Sequence, residues 1–427
     1  MKILILSNNP VSTTANNGKT IASIISVLGD HDFAQIYFDS DMPETNLPLV
    51  HVSLTDKKVL GLFIRKFNPK GWGSSENSFD IQASGVLSSA SRYKVELYRL
   101  AREILWFLPL GHKKELIDFA VDFRPDILFF VAGDFIFANR LAIELQKKTG
   151  SQMVTFFTDD YMFIKHDWNI LGHFRSFLIS RFIKKVVALS SNYLTISPSM
   201  KVRYDRCFDK TSVIAFNIVE QVLDAKCEPL DALRSDKVTI VYAGGLHLDR
   251  LSSIEILARH VETLHDDVSI KIFSNDSRDI EVQKRLSCFK TVELLAPVSP
   301  DSLVVILQDA DILLHVESFD PYYSSRTRYS LSTKIPEYLS FGKPLLAIGP
   351  QLVGSIKHLQ GTAICITEPE VDIAKANKLI QSKDYRTALG KLSAEKFKKD
   401  HNKKHLTKTI RAAFFNNHSQ GEGEGVL

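Results

Sequence analysis

Short apolar runs alternate along this chain with longer segments whose apolar positions recur every three or four residues. That alternation predicts parallel strands joined by crossover helices, an α/β fold. In the first half it predicts strands at 3–7, 34–38, 126–131, 153–158, 194–197 and 213–217. Helices are predicted between them at 19–28, 93–106, 113–123, 135–149, 171–189 and 199–207. The stretch 56–91 is richer in Gly, Ser, Asn and Lys and predicts an insertion or long mobile loop. A polar connection at 220–236, with Pro229, leads to a second series. Its strands are predicted at 238–243, 269–273, 292–295, 312–316, 344–348 and 363–366, and its helices at 252–264, 280–286, 300–308, 334–340 and 373–379. One long basic helix at 385–415 and a disordered GEGEGVL tail complete the chain.

These elements divide into an N-terminal Rossmann-like domain (1–220) and a second one (221–395). A helix at 396–417 is expected to return to the first domain, and 418–427 to be a tail. Open parallel sheets bind ligands beyond the carboxyl ends of their strands. Two such domains are therefore expected to face one another across a cleft.

A length of 427 residues suits two cores better than one. A hydrophobic fraction of 44% and a charged fraction of 24% are those of a globular protein. The net charge of +4 is too small for a nucleic-acid binder, and suits an anionic small molecule or an anionic membrane surface. Cys207, Cys227, Cys288 and Cys365 follow no CxxC spacing and read as reduced residues, neither a disulfide framework nor a zinc site. MKILILSNNP reads as a first buried strand, its apolar run being too short for a secretory signal. No stretch approaches the roughly 18 apolar residues of a membrane span. The expected location is cytoplasmic, with peripheral contact at the inner face of a membrane left open.

The strongest chemical signal is VYAGGLHLDR, where a strand runs into Gly244-Gly245 and then Arg250 at a helix start. Paired glycines let backbone approach a phosphate, a helix N-terminus supplies N–H donors, and Arg offers a forked cation. The same glycines also serve plain tight turns, which leaves two readings of equal weight. In LSTKIPEYLSFGKPLLAIGP, Ser332 and Thr333 are candidate caps for a helix starting near Lys334, with Glu337 on the same face. That spacing fits a diphosphate on Lys334 and ribose hydroxyls on Glu337, and less well a surface capping box with an ion pair. ANNGKT ends like a P-loop, but Thr13 stands where that motif requires glycine, which argues against an NTPase.

The order strand–GG–Arg, ADILLHVES, STKIPEYLSFGKPLLAIG resembles the donor domain of family-four-like GT-B glycosyltransferases of the nucleotide-sugar-dependent group-one type. YLTISPSMKVRYDRCFDKTSVIAFNIVE is similar to the closing segment of that family's N-terminal domain. The resemblance implies the GT-B fold and transfer of a sugar from a nucleoside diphosphate sugar to a hydroxyl acceptor, in cell-surface polysaccharide or glycolipid synthesis. It implies Arg250 and Lys334 on the diphosphate, Glu337 on the ribose, and backbone near Val298 against the base. It also implies Asp159 or Asp160 at the acceptor hydroxyl, with Gly18 and Asp134 on the same wall. No cofactor and no metal are implied, because cationic side chains and a helix dipole neutralise the diphosphate. The family's first glutamate, eight positions before the second, falls here on Tyr329; Glu317 is acidic but precedes the extra loop SFDPYYSSRTRYS. A sugar-nucleotide epimerase on the same fold, or a non-catalytic nucleotide-sugar-binding partner subunit, are the alternative readings. The segment 170–189 repeats apolar residues at helical spacing with Arg175, Arg181, Lys184 and Lys185. It reads as a core-packing helix or, less simply, as an interfacial one on anionic lipid.

Overall fold

The computed structural model describes residues 1–13, 16–67, 92–109, 111–163, 170–219, 237–265 and 267–416. Most of the anticipated insertion (68–91), the linker at 220–236, Cys227 and the tail lie outside the described residues. The chain clusters into two compact units: Met1–Ile196, Lys201–Ala215 and Thr407–Leu427 form one, Ser197–Met200 and Phe216–Leu406 the other.

The first unit is built on β1 (Lys2–Ser7), β2 (Asp32–Tyr37), β3 (Leu49–Ser53), β4 (Ile127–Ala132), β5 (Gln152–Phe157), β6 (Ser190–Thr195) and β7 (Val213–Ile214). All pairs are parallel, in the order β3-β2-β1-β4-β5-β6-β7. The centre of the sheet is apolar on both faces, as ILFFVA in β4 illustrates, because helices cover both sides. The second unit carries β8 (Val238–Ala243), β9 (Val268–Phe273), β10 (Val292–Leu295), β11 (Ile312–Val316), β12 (Leu345–Ile348) and β13 (Ile364–Ile366). These are again parallel, in the order β10-β9-β8-β11-β12-β13. Strand order therefore reverses once in each sheet, between β1 and β4 and between β8 and β11. Such switch points open a crevice at the strands' carboxyl ends, because the connections on either side depart in opposite directions.

Three expectations need correction. The segment 56–67 is a helix, Asp56–Phe67, where a loop was expected. Its first carboxylate accepts hydrogen bonds from Arg102 Nε (2.8 Å) and Trp106 Nε1 (2.6 Å), docking it on the helix Arg92–Phe107. The loop after Glu317 contains a short helix, Pro321–Thr327, capped by Asp320, which accepts from the amides of Tyr322 and Tyr323. The long terminal helix is two helices, Lys383–Asp400 and Lys403–Phe415. Asn402 starts the second by accepting from the His405 amide. This last helix packs into the first unit: Arg411 donates to the Val27 carbonyl, Asn192 Nδ2 donates to the Ala413 carbonyl (2.8 Å), and Phe414 is buried edge-on against Phe129.

Candidate functional site

In the second unit the chain leaves β8 at Gly244 and enters the helix Arg250–Leu264 through a six-residue loop, 244–249. Gly244 has φ +151°, and a Cβ there would fall on the Lys334 ammonium. That position is glycine because the lysine occupies the space. A Cβ on Gly245 would in turn fall on the His247 imidazole. Leu248 and Asp249 both adopt left-handed backbone (φ +60° and +57°), a region aspartate visits more readily than leucine, which holds it only where surroundings compel it. The restraints are visible. Tyr242 donates its hydroxyl to the Gly245 carbonyl (2.7 Å), the Leu246 amide donates to Asp276 Oδ2 (2.6 Å), and Ser252 and Ser318 donate to the Asp249 carboxylate. Because Asp249 faces those serines, it makes no side-chain cap on the helix it precedes. The first-turn amides keep their capacity for an anion.

Lys334 begins the helix Lys334–Ser340 and lies over the Tyr242 ring, 4.8 Å from its centroid. Among the described residues it makes no ion pair. Burial and then the neighbouring Arg250 lower its pKa from the usual lysine value to about 7, against the pull of Glu317 and Glu337. Arg250 stands 3.7 Å from Glu317. The Glu317 carboxylate is buried at the end of β11, 3.2 Å from His315 Nε2. Burial works against its charge, but His315, Arg250 and the Ser355 hydroxyl outweigh that and hold its pKa below the ordinary value. Glu337 follows Lys334 by one helical turn, partly buried.

The structure thus brings Gly244, Gly245, Arg250, Lys334, Glu317 and Glu337 together at the reversal between β8 and β11. The extra loop leaves Glu317 inside this cluster, as the partner of Arg250. Ser332 and Thr333 do not cap. Thr333 is the cap residue, but its helical backbone (φ −60°, ψ −20°) gives no side-chain cap bond, and the Ser332 amide donates to Ser355 Oγ (3.0 Å). Val298 is 38% exposed on the connection following β10. His247, His315, Asp276 and Tyr242 were not singled out by sequence: His247 and Tyr242 lie inside VYAGGLHLDR and His315 inside ADILLHVES, where only the glycines and the arginine drew attention, and Asp276 lies outside every motif.

In the first unit Gly18 is packing-driven, since a Cβ would strike the Pro10 carbonyl and Ser12. Asp134 follows β4 and pairs with Arg175 (3.2 Å), which is buried, unlike the other basic residues of its helix. Asp159 is partly buried after β5. Asp160 is not an exposed acceptor-side carboxylate: it is buried and accepts from the amides of Met162 and Phe163 and from the Tyr204 hydroxyl (2.9 Å). Burial raises its pKa, its hydrogen bonds opposing. Glu103 was also missed. Buried, it accepts from the amides of Ile136 (2.7 Å) and Phe137 (3.0 Å) and so caps the helix Ile136–Thr149 from 33 residues away. No three His, Cys, Asp or Glu side chains converge as a metal-ligand set among the described residues.

No protein-family model matches the sequence, and no curated protein matches it. Solved structures do match along nearly the whole chain. A trehalose-6-phosphate structure from E. coli bound with UDP-2-fluoro glucose superposes with a TM-score of 0.63 at 10% identity, covering 98% of this chain and 99% of its own. The trehalose-phosphate synthase of Burkholderia xenovorans in complex with glucose-6-phosphate matches at 0.58 and 12%, covering 98% and 99%. WaaG, a glycosyltransferase involved in lipopolysaccharide biosynthesis, matches at 0.58 and 12%, covering 97% and 100%. With two parallel Rossmann-like sheets, each reversing once, the chain has the GT-B fold.

Proposed function

We propose that this protein transfers a sugar from a nucleoside diphosphate sugar to a hydroxyl acceptor, in assembly of a cell-surface polysaccharide or glycolipid. One observation carries the reading: Arg250 and Lys334 stand together at a helix N-terminus left without a side-chain cap, and Lys334 has no carboxylate partner among the described residues. A diphosphate supplies the missing anion. Its negative charge grows as the glycosidic bond breaks, so cations fixed beforehand lower the barrier. Glu337 accepts from ribose hydroxyls, and Glu317 aims Arg250. Backbone near Val298 meets the base, and Asp159 orients or deprotonates the acceptor hydroxyl. The UDP-2-fluoro glucose in the E. coli neighbour and the lipopolysaccharide role of WaaG support the class of donor and product. A mass-spectrometric screen of nucleotide sugars is the direct test: at least one should bind and be slowly hydrolysed, and a protein that retains none of them ends the proposal.

The two cations take the place of a metal in this reading. Turnover should persist in EDTA within about twofold. Complete loss, restored by manganese or magnesium, would move the diphosphate's counter-charge to a bound ion.

The helix Ile170–Leu189 supports peripheral membrane contact at an inner membrane face. Its apolar residues divide into two faces: Ile179, Ile183, Val186 and Val187 are buried, while Ile170 (80%), Phe174 (54%) and Phe177 (61%) are exposed, with Arg181, Lys184 and Lys185 also exposed. The helix Arg92–Phe107, packed against it, exposes Leu97, Ile104 and Phe107. Aromatic residues flanked by cations suit an anionic bilayer. Sedimentation with phosphatidylglycerol vesicles should fall several-fold when Arg181, Lys184 and Lys185 are replaced by Gln, and should weaken with salt. Absence of wild-type binding would leave an ordinary exposed helix.

A further inference from the structure

The helices Arg92–Phe107 and Ile170–Leu189 carry apolar residues outward and charged residues inward. On the first, Leu97, Ala101, Ile104 and Phe107 fall at helical spacing on the exposed face, while Arg102, Glu103 and Trp106 turn toward the interior. On the second, Phe174 and Phe177 face out and Arg175 is buried. The inward groups converge on one short segment, 134–137, which joins β4 to the helix Ile136–Thr149. Arg175 Nη2 donates to the Asp134 carbonyl and pairs with its carboxylate (3.2 Å). The Arg102 guanidinium lies 3.8 Å from the centroid of the Phe135 ring, and Trp106 stacks on Phe137 at 3.9 Å. Glu103 accepts from the amides of Ile136 and Phe137. Phe135, at the cap position, offers no side-chain acceptor, so Glu103 is what satisfies these two first-turn amides.

In each helix the gripping residue is next in sequence to an outward apolar one: Glu103 to Ile104, Arg175 to Phe174. Adjacent helix residues point about 100° apart, so a roll that hides the apolar one withdraws its charged neighbour from the segment. In water the exposed apolar row favours that roll, and the inward hydrogen bonds oppose it. An apolar layer laid over the row removes the first force and leaves the second, which favours the gripped state. The layer also meets cations. Lys113 and Arg140 flank the exposed Phe107 ring, 5.9 and 4.0 Å from its centroid, and Arg181, Lys184 and Lys185 follow Phe177 on the surface of its own helix.

We propose that Glu103 and Arg175 are positioning residues, through which docking of these two helices on an anionic bilayer fixes Asp134 and the first turn of Ile136–Thr149 at the end of β4. The inference rests on the peripheral membrane contact proposed above and adds what that contact does: the β4 side of the first sheet's switch point takes its working geometry at the bilayer surface.

Hydrogen–deuterium exchange on the full chain, read by mass spectrometry over peptides covering 133–138, tests this with phosphatidylglycerol vesicles against phosphatidylcholine vesicles. With phosphatidylglycerol the exchange of the Ile136 and Phe137 amides should slow several-fold, and with phosphatidylcholine it should not change. Glu103→Gln, whose side-chain nitrogen cannot accept, should speed their exchange and abolish the response, while sedimenting with the vesicles as the wild type does. Arg175→Met should likewise bind without the response, and Arg175→Lys, which keeps a cation beside Asp134, should recover part of it. Phe174→Ser with Phe177→Ser, both on the surface, should leave exchange in vesicle-free buffer unchanged and lose the response together with the binding. A wild type that sediments with phosphatidylglycerol and shows no change at 136 and 137 would overturn the inference. So would a response that survives in both Glu103→Gln and Arg175→Met. A wild type that does not sediment strikes the docking reading itself, and the inference falls with it.

Discussion

Replacing Lys334 with Met should lower turnover about a hundredfold, the scale of removing one preorganised charge stabiliser, while leaving the melting temperature unchanged or raised. The asymmetry follows from the ion pairs. Lys334 has no carboxylate partner among the described residues, and burial already disfavours its charge, so the folded protein gains by losing the ammonium. Arg250→Ala should cost turnover on the same scale but also melting temperature. It deprives the buried Glu317 of a guanidinium 3.7 Å away, and breaking a buried pair costs about 3–5 kcal/mol when one charge is left behind. His315 and Ser355 remain beside Glu317 and should keep the loss toward the low end. Steady-state kinetics with the donor found by screening, together with thermal unfolding of the same preparations, measure both quantities. Near wild-type transfer by both variants would remove the diphosphate assignment. Equal destabilisation by both would show that Lys334 is a structural cation.

What could be read from the chain was what is local in it. Strand β8, the glycine pair and Arg250 are contiguous, and Lys334 and Glu337 are one helical turn apart, so spacing alone announced a cation and a carboxylate beside a close backbone approach. Spacing was silent about why Gly244 is glycine, because the answer is a lysine 90 positions later. Glu103 shows the same limit: a cap is normally sought within the helix's own first turn, and this one arrives from another helix. Gln35 sits in a strand of apolar neighbours where one polar residue looks like an interruption, and only the fold brings the Ser7–Val11 loop onto it. Asp160 shows the same limit from the other side: nothing local distinguishes it from Asp159, yet two amides and the Tyr204 hydroxyl take it inward. The segment 56–67 reads as one with the Gly-, Ser- and Asn-rich residues that follow it, although Val59, Phe63 and Phe67 recur at helical spacing; its anchor, Asp56, acts through Arg102 and Trp106.

Donor affinity should be highest below pH 7 and should fall as pH rises through about 7, by as much as tenfold per pH unit. The sign follows from Lys334. Burial and Arg250 bring its free-state pKa to about 7, so part of the population has already lost the proton at neutral pH. A bound diphosphate favours the ammonium and raises that pKa, so binding draws a proton from solution. Above pH 7 that proton must be supplied at progressively greater cost, until the pH reaches the pKa of the complex and the dependence flattens. The neighbouring groups do not imitate this. His247 is held below 6.5 by burial and by Arg250, and Tyr242 is raised above its ordinary value. Glu317 is held below the usual carboxylate value, and the pyrophosphate of a nucleotide sugar has no proton to lose in this range. Calorimetric titration of a nucleotide sugar between pH 6 and 9, in two buffers of different ionisation enthalpy, reads both the affinity and the proton uptake. Lys334→Met should bind weakly at every pH, with no step near 7 and no buffer-dependent heat. A wild-type affinity that is flat from pH 6 to 9 would mean that Lys334 keeps its proton in the free protein, and one that rises with pH would mean that the ligand's charge is met elsewhere.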